Sequence, residues 1–425
     1  MKAKSFIIIV MAGGILVGCS AKKTDKEENE WIKNCINVAS KQLSSLAEQL
    51  ADTCVMPRSL WTGYDPEFLS NQLDREISTF KDSLRIRPVS ARTGSLRTCS
   101  IYDWTSGFFP GSLWYIYELT KNEDLKKYAI RYTNLLYPVR TYTGNHDIGF
   151  MINCSYGNAF RLAPNDTIID VLIESANSLC TRFNKEIGAI RSWDFGRWNY
   201  PVIIDNMMNL DLLFMASKLT GISKYKNIAV QHANKTKDNH FRPDYTCWHV
   251  VSYNNDGTVE CKQTFQGKND NSSWARGQAW AVYGYTYCYR ETKDKTFLNR
   301  AVEIADMIME RVKTDDAIPY WDYDAPITEE TPRDASAAAI TASAFLELST
   351  MVTDGNLYLL YAEKILKSLS SEKYLSKVGE NEGFILRHST GSLPNGSEID
   401  TPINYADYYF LEALERYIDL KNIKL

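Results

Sequence analysis

Thr220-Gly221-Ile222-Ser223-Lys224-Tyr225-Lys226-Asn227-Ile228-Ala229 is the stretch on which the fold turns, because its skeleton recurs. A threonine ends an apolar helical run, a large apolar residue follows five positions later, and an alanine nine positions later. The same spacing appears as Thr120, Leu125 and Ala129, as Thr292, Phe297 and Ala301, and as Thr353, Tyr358 and Ala362. The second and third positions are four apart, so they share a helical face, and the alanine lets the new helix pack closely on the old one. Four copies read as one helix–turn–helix unit used repeatedly.

Working outward from these turns, hydrophobic periodicity predicts about twelve helices in two alternating sets. One set starts near Pro110, Asp147, Asp205, Ser273, Asp334 and Pro402. The other covers roughly 31–50, 123–136, 167–184, 222–236, 295–313 and 356–370. Six hairpins closing on themselves make an all-α toroid of six inner and six outer helices; an open helical solenoid is the alternative. In a toroid the parallel inner helices place their N-termini on one rim. The loops that enter them hold the chain's unusual residues: Trp104 to Phe109, His146-Asp147, Trp193 to Asn206, and Gln266 to Trp280.

Ser272-Ser273-Trp274-Ala275-Arg276-Gly277-Gln278-Ala279-Trp280 looks like a helix start with Ser273 as the N-cap. Arg276 and Trp280 are four apart on one face. A guanidinium fork suits a carboxylate, an indole suits the apolar face of a sugar, and a helix N-terminus attracts an anion. The competing reading is an ordinary buried helix start with tryptophan as core.

Two acids stand out at the same rim. Asp147 lies in Asn145-His146-Asp147-Ile148-Gly149-Phe150, and Asp205 follows Ile203-Ile204. Each is also a plausible N-cap. Burial raises a carboxyl pKa and a helix N-terminus lowers it, and a general acid needs the first effect to win. His146 and His249 are two of five histidines; His146 gains interest from its neighbour Asp147. The sequence has no GxSxG, no HExxH and no phosphate-binding glycine loop.

The 425 residues carry 48 basic and 52 acidic side chains, a formal charge of −4. Residues 1–18 read as a leader: Lys2 and Lys4, then the apolar run Phe6–Val17, too short to span a membrane. Leu16-Val17-Gly18-Cys19 resembles a bacterial lipobox, which makes Cys19 the lipid-bearing first residue of an exported, membrane-anchored lipoprotein, periplasmic or at the cell surface. Losing Lys2 and Lys4 takes the charge from −4 to −6, which disfavours a nucleic-acid partner. Residues 19–30 are polar and read as a flexible tether, and residues 31–425 as a single domain. The other eight cysteines show no CxxC pair and no clustering with histidine, so a zinc site has no support; their pairing is open.

The segments Asn145–Phe150, Ile204–Asn209, Gln266-Gly267, Trp274–Trp280 and Tyr405-Ala406-Asp407-Tyr408-Tyr409 resemble those of the unsaturated glucuronyl hydrolases, glycoside hydrolase family 88. The resemblance runs in order from about Trp104 to Tyr417. It implies an (α/α)6 barrel, in agreement with the helix count, and it implies a substrate: an anionic oligosaccharide left by a polysaccharide lyase, carrying a 4,5-unsaturated uronic acid at its non-reducing end. The implied reaction hydrates the vinyl ether, so the rule linking carboxylate separation to stereochemistry does not apply. By the same resemblance Asp205 is the acid/base and Asp147 the second acid. Trp193, Gln266, Trp274, Arg276 and Trp280 match substrate contacts, and His146 and His249 join them. Neither a metal nor an organic cofactor is implied. The related enzymes acting on unsaturated rhamnogalacturonan fragments are a rival, with Gly-Asn where this chain has Gly277-Gln278. A non-catalytic lipoprotein that captures glycans is another. His388-Ser389-Thr390-Gly391-Ser392 is either the sulfate side of the pocket or a polar surface loop.

Overall fold

The computed structural model describes residues 25–63, 66–73 and 93–425. The leader, Cys19 and the first part of the expected tether lie outside these. In chain order the helices are α1 (Asp25–Gln49), α2 (Pro66–Leu73), α3 (Phe108–Thr120), α4 (Glu123–Leu135), α5 (Ile148–Ile152), α6 (Asn158–Leu162) and α7 (Asp166–Cys180). There follow α8 (Leu210–Thr220), α9 (Ser223–Asn239), α10 (Ala275–Thr292), α11 (Lys295–Arg311), α12 (Ala335–Ser349), α13 (Asn356–Leu369) and α14 (Asn404–Lys421). A π-turn over Asn153–Gly157 joins α5 and α6 into one inner helix, and a 3-10 turn over Ile204–Asn209 leads into α8. The inner ring is therefore α3, α5–α6, α8, α10, α12 and α14, each followed or preceded by one of the outer helices α1, α4, α7, α9, α11 and α13. Helix α14 packs on α3 and closes the ring, so the arrangement is the (α/α)6 barrel and not an open solenoid.

The recurring threonine has a physical role. Thr120, Thr220 and Thr292 each donate from Oγ1 to the carbonyl four residues back (Ile116, Ala216 and Cys288) at 2.6–2.7 Å. Each also accepts the backbone N–H two residues on, at 3.1–3.3 Å. The residue between them, Lys121, Gly221 or Lys293, is left-handed and ends the helix. The large residue and the alanine that follow are buried in every copy. The fourth copy departs from expectation: α12 stops at Ser349 and Thr353 lies in a longer turn, although Tyr358 and Ala362 are buried as in the others.

Outer helices bury one stripe, whereas inner helices are buried almost all round. In α12, Ala-Ser-Ala-Ala-Ala-Ile-Thr-Ala-Ser-Ala keeps the side chains small between α10 and α14. Residues 25–30, read as tether, are the start of α1; Glu and Lys are good helix formers, so polar composition did not exclude a helix there.

Short strands decorate the rim. β1 (Met56–Leu60) pairs antiparallel with β2 (Leu96–Cys99), with a register shift between Pro57 and Ser59 that makes Arg58 the bulged residue. β3 (Phe183–Asn184) pairs with β4 (Ala189–Ile190). β5 (Pro201–Ile203), β6 (Val250–Tyr253) and β7 (Val259–Gln263) form an antiparallel three-stranded sheet over its own small core of Tyr200, Val202, Val251 and Tyr253. No described helix is long and apolar enough to cross a membrane. The eight cysteines from Cys35 to Cys288 are unpaired.

Candidate active site

A cavity of about 520 Å³ opens where the loops entering the inner helices converge. Trp104 precedes α3, Asn145 and Asp147 precede α5, Ser192 to Asp205 precede α8, Phe265 and Gln266 precede α10, and Gly391 to Tyr405 precede or begin α14. This is the rim expected for parallel inner helices. Aromatic rings wall one side: Trp104 lies 5.1 Å from Tyr405 and 5.7 Å from Phe150, centroid to centroid.

The β5–β6 pairing assembles the chemistry. Ile203 is in register with Val250, and the N–H of Ile204 donates to the carbonyl of His249 at 3.0 Å. Asp205, two residues after β5, thereby comes to lie beside His249, one residue before β6, and β7 delivers Gln266 to the same place. Asp205 sits inside the 3-10 turn with 8 % of its surface exposed. Burial pushes its carboxyl up to about 7, against the pull of the Arg276 charge, a backbone N–H and the Trp280 indole.

Asp147 occupies the cap position of α5, but its carboxyl makes no capping hydrogen bond. It accepts instead from Asn209 Nδ2 at 3.1 Å, while Asn209 Oδ1 accepts the N–H of Phe150 at 2.9 Å. One asparagine of the α8 approach thus fixes both the acid and the helix behind it. Gly149 is required for this closeness: a Cβ there would stand 2.5 Å from Asn209 Cα. Burial, then the neighbouring Asp205 charge, raises the Asp147 carboxyl well above the usual range. Asp147 therefore holds its proton more firmly than an exposed acid does.

Both expected histidines lie behind the wall. His249 Nδ1 accepts the N–H groups of Phe265 and Gln266, each at 3.1 Å, so its proton is on Nε2, 3.7 Å from Asp205 Oδ2. Burial and the Arg276 charge hold this imidazole well below its usual pKa, so it is neutral. His146 Nε2 is 3.1 Å from Asp147 Oδ1, and burial, then Arg182, lowers its pKa to about 3.

Of the residues predicted from sequence, Asp205, Asp147, Trp193 and Gln266 line the cavity. Trp274, Arg276 and Trp280 do not. Trp274 packs 4.7 Å from the His249 ring and Trp280 5.0 Å from Phe150, both as core. Arg276 is 0 % exposed, and its fork is already filled. It pairs with Asp334 at 2.8 Å, donates to the Thr390 carbonyl at 2.5 Å and to that of Gly391, and lies 4.5 Å from the Trp274 ring. The expectation that it grips a substrate carboxylate directly is corrected: it braces the loop 389–392 and adds positive potential near Asp205. Ser273 is not a cap either. The α10 cap position is Trp274, bridged to Asp322, and the Ser273 N–H donates to Asp324. From His388–Ser392, Gly391 and Ser392 reach the cavity, whereas His388 pairs with Asp400 outside. Gln278, in the position that distinguishes the rival family, brackets the backbone of Cys247 and is buried.

The sequence reading missed Arg58 and Glu398. The bulge aims Arg58 at the cavity, where its Nε meets Glu398 Oε1 at 2.5 Å and its Nη1 meets Asp103 Oδ2 at 2.5 Å. Arg97 joins the same carboxylate at 3.2 Å. Burial pushes Glu398 up, but Arg58 and Arg97 outweigh it and hold the carboxyl at about 2. Among the described residues, no group of three His, Cys, Asp or Glu side chains is placed to hold a metal ion.

The profile of Glycosyl Hydrolase Family 88 matches residues 77–416, and that of a domain of unknown function matches residues 1–75. The chain is 50 % identical over 319 residues to the unsaturated glucuronyl hydrolase of Formosa agariphila, covering 74 % of this chain and 80 % of that protein. A crystal structure of an unsaturated glucuronyl hydrolase specific for heparin superimposes with a TM-score of 0.83 at 45 % identity, covering 93 % of this chain and 99 % of that one. The unsaturated glucuronyl hydrolase of Bacillus sp. GL1, described as responsible for glycosaminoglycan degradation, superimposes with a TM-score of 0.78 at 25 % identity, covering 92 % and 97 %.

Proposed function

The chain belongs to glycoside hydrolase family 88, and on that premise we propose that it removes a 4,5-unsaturated uronic acid from the non-reducing end of glycosaminoglycan oligosaccharides left by lyases. The observation that carries this reading is the Asp205 carboxyl, sunk in a sugar-sized cavity with its pKa at about 7. A group so poised can give a proton and take one back near neutrality. Protonated Asp205 donates to C4 of the vinyl ether while water adds at C5 and returns a proton to the carboxylate. The C5 hemiketal opens to a ketone, the C1 hemiacetal collapses, and the leaving sugar departs with the glycosidic oxygen.

Asp147, its carboxyl oriented by Asn209 Nδ2, holds ring hydroxyls. Trp193 and Trp104 give flat walls, and Gln266, whose Nε2 donates to the Gly391 carbonyl at 3.1 Å, closes the floor. The Arg276 charge, behind the wall, adds positive potential on the side of Asp205 where the anionic sugar lies. The chain from α1 onward acts as one catalytic unit, tethered to a membrane by a lipid on Cys19.

The test runs the reaction in deuterated, oxygen-18 water and reads the first turnovers by NMR and mass spectrometry. Deuterium at C4 and solvent oxygen at C5 are expected. Solvent oxygen at C1 in an initial product that keeps its double bond would overturn the hydration mechanism and the role of Asp205.

A further inference from the structure

The loop 391–398 forms one wall of the catalytic cavity: Gly391, Ser392, Asn395, Ser397 and Glu398 all line it. It is a tight hairpin. The Gly391 N–H donates to the Glu398 carbonyl at 2.6 Å, Ser392 and Ser397 exchange backbone bonds at 2.9 and 3.0 Å, and Leu393–Asn395 make the turn. Its outgoing side is constrained, because Glu398 and Asp400 adopt the left-handed region, at φ 55° and 47°, without being glycine. Such residues stay there only where their surroundings over-determine them.

The constraint comes from the other end of the chain. Arg58 grips both oxygens of Glu398, Nε to Oε1 at 2.5 Å and Nη2 to Oε2 at 3.2 Å, and Ser59 Oγ donates to Oε1 at 3.3 Å. Arg58 itself has little play. Asn404 Nδ2 donates to the carbonyl of Pro57 at 2.9 Å and Ser59 bridges to Ile403, so the residues on either side of Arg58 are docked on the entry to α14. Asp103 takes its Nη1 at 2.5 Å. The fork is therefore full, as that of Arg276 is, and what it holds is a loop and not a sugar. Asp205 and Asp147 are fixed by other means, the bond of Ile204 to His249 and that of Asn209 to Asp147.

We propose that Arg58 is a positioning residue for the reaction, acting through Glu398 to hold the loop 391–398 in its substrate-binding form. Residues 1–75, matched by a domain of unknown function, thereby have a task in the active site. The proposal rests on the function proposed above for the sugar that the loop faces. Releasing the clamp loosens one wall and leaves the proton-transfer groups in place, so KM rises while kcat holds.

The test is a double-variant cycle of Arg58→Gln, Glu398→Gln and the two together, read by hydrogen exchange and by kinetics on an unsaturated disaccharide. Arg97, 3.2 Å from Glu398 Oε1, keeps that carboxylate paired in Arg58→Gln. Each single variant should speed amide exchange in peptides spanning 388–401 and leave peptides around Asp205 unchanged. Each should lower kcat/KM by about tenfold, mostly through KM, and the double variant should be no worse than either. Arg58→Lys, which keeps the charge and loses the fork, carries the same readouts where Arg58→Gln does not fold. Unchanged exchange at 388–401 would overturn the clamp, as would an Arg58→Gln effect that persists in full on the Glu398→Gln background. A disaccharide left uncleaved by the parent would sink the proposed function, and exchange alone would then decide the clamp.

Discussion

His249 presents Nε2 to Asp205 at 3.7 Å while its Nδ1 is committed to two backbone N–H groups. That commitment fixes the tautomer, so the neighbour of the catalytic carboxyl is a neutral N–H and not a cation. The imidazole pKa is far below neutrality, so it contributes no limb to a pH profile near neutral. Asp205, with its pKa at about 7, does. The reaction needs the protonated acid first, so kcat should be level on the acid side and fall as pH rises through about 7. Initial rates at saturating substrate from pH 5 to 9 check this, and a profile rising through pH 7 would contradict the assignment.

Asp205→Asn keeps the shape but cannot transfer the proton, so kcat should fall by about 10²-fold or more. The same variant carries a stability signature. The folded-state pKa lies above the unfolded value of about 3.9. The native carboxyl is thus at no disadvantage below pH 4, and stability is lost as pH rises through about 7. Asparagine escapes that loss. The melting temperature of Asp205→Asn should exceed that of the parent at pH 8, and the difference should shrink toward pH 4. Calorimetric scans at the two pH values decide it.

Arg276 should behave as a brace with an electrostatic reach. Arg276→Met leaves Asp334 buried without its cation, a change that typically costs about 3–5 kcal/mol, readable by denaturant unfolding. Arg276→Lys keeps charge but replaces the fork, whose two separate Nη groups reach Asp334 and the carbonyls of Thr390 and Gly391, with a single ammonium on a shorter stem, so it should also lose stability and kcat/KM. Because the Arg276 charge holds the Asp205 pKa down, any active Arg276→Met protein should show its basic limb shifted to higher pH. A limb that stays in place would remove Arg276 from the field at Asp205.

Cys19→Ala tests the anchor. The variant should leave the membrane fraction and keep its activity on soluble oligosaccharides, since the cavity is built from residue 58 onward. Equal membrane association of variant and parent would refute lipid attachment at Cys19.

The barrel was legible because its turns are local. Thr120, Thr220 and Thr292 close their turns with bonds spanning two to four residues, and such devices leave a spacing in the sequence. Asp147 and Asp205 were legible as acids at helix entries after apolar approaches. What escaped was non-local. Arg276 looked available because its partner Asp334 is 58 residues away, and Arg58 was unnoticed because it meets Glu398 across 340 residues. The strands, two to five residues long, hold through tertiary contacts and leave little alternation to read.

The seam of the ring lies between α3 and α14, elements from opposite ends of the described chain. The walls of the cavity follow suit, running from Arg58 to Tyr405. The lining is shared between the halves of the chain, Arg58 to Asp205 from the first and Phe265 to Tyr405 from the second. Asp147 and Asp205 emerge early in synthesis, but the side that faces them is contributed by residues that come late. Tyr405, in the first turn of α14, is one wall of the cavity, so closing the ring and completing the pocket are one event.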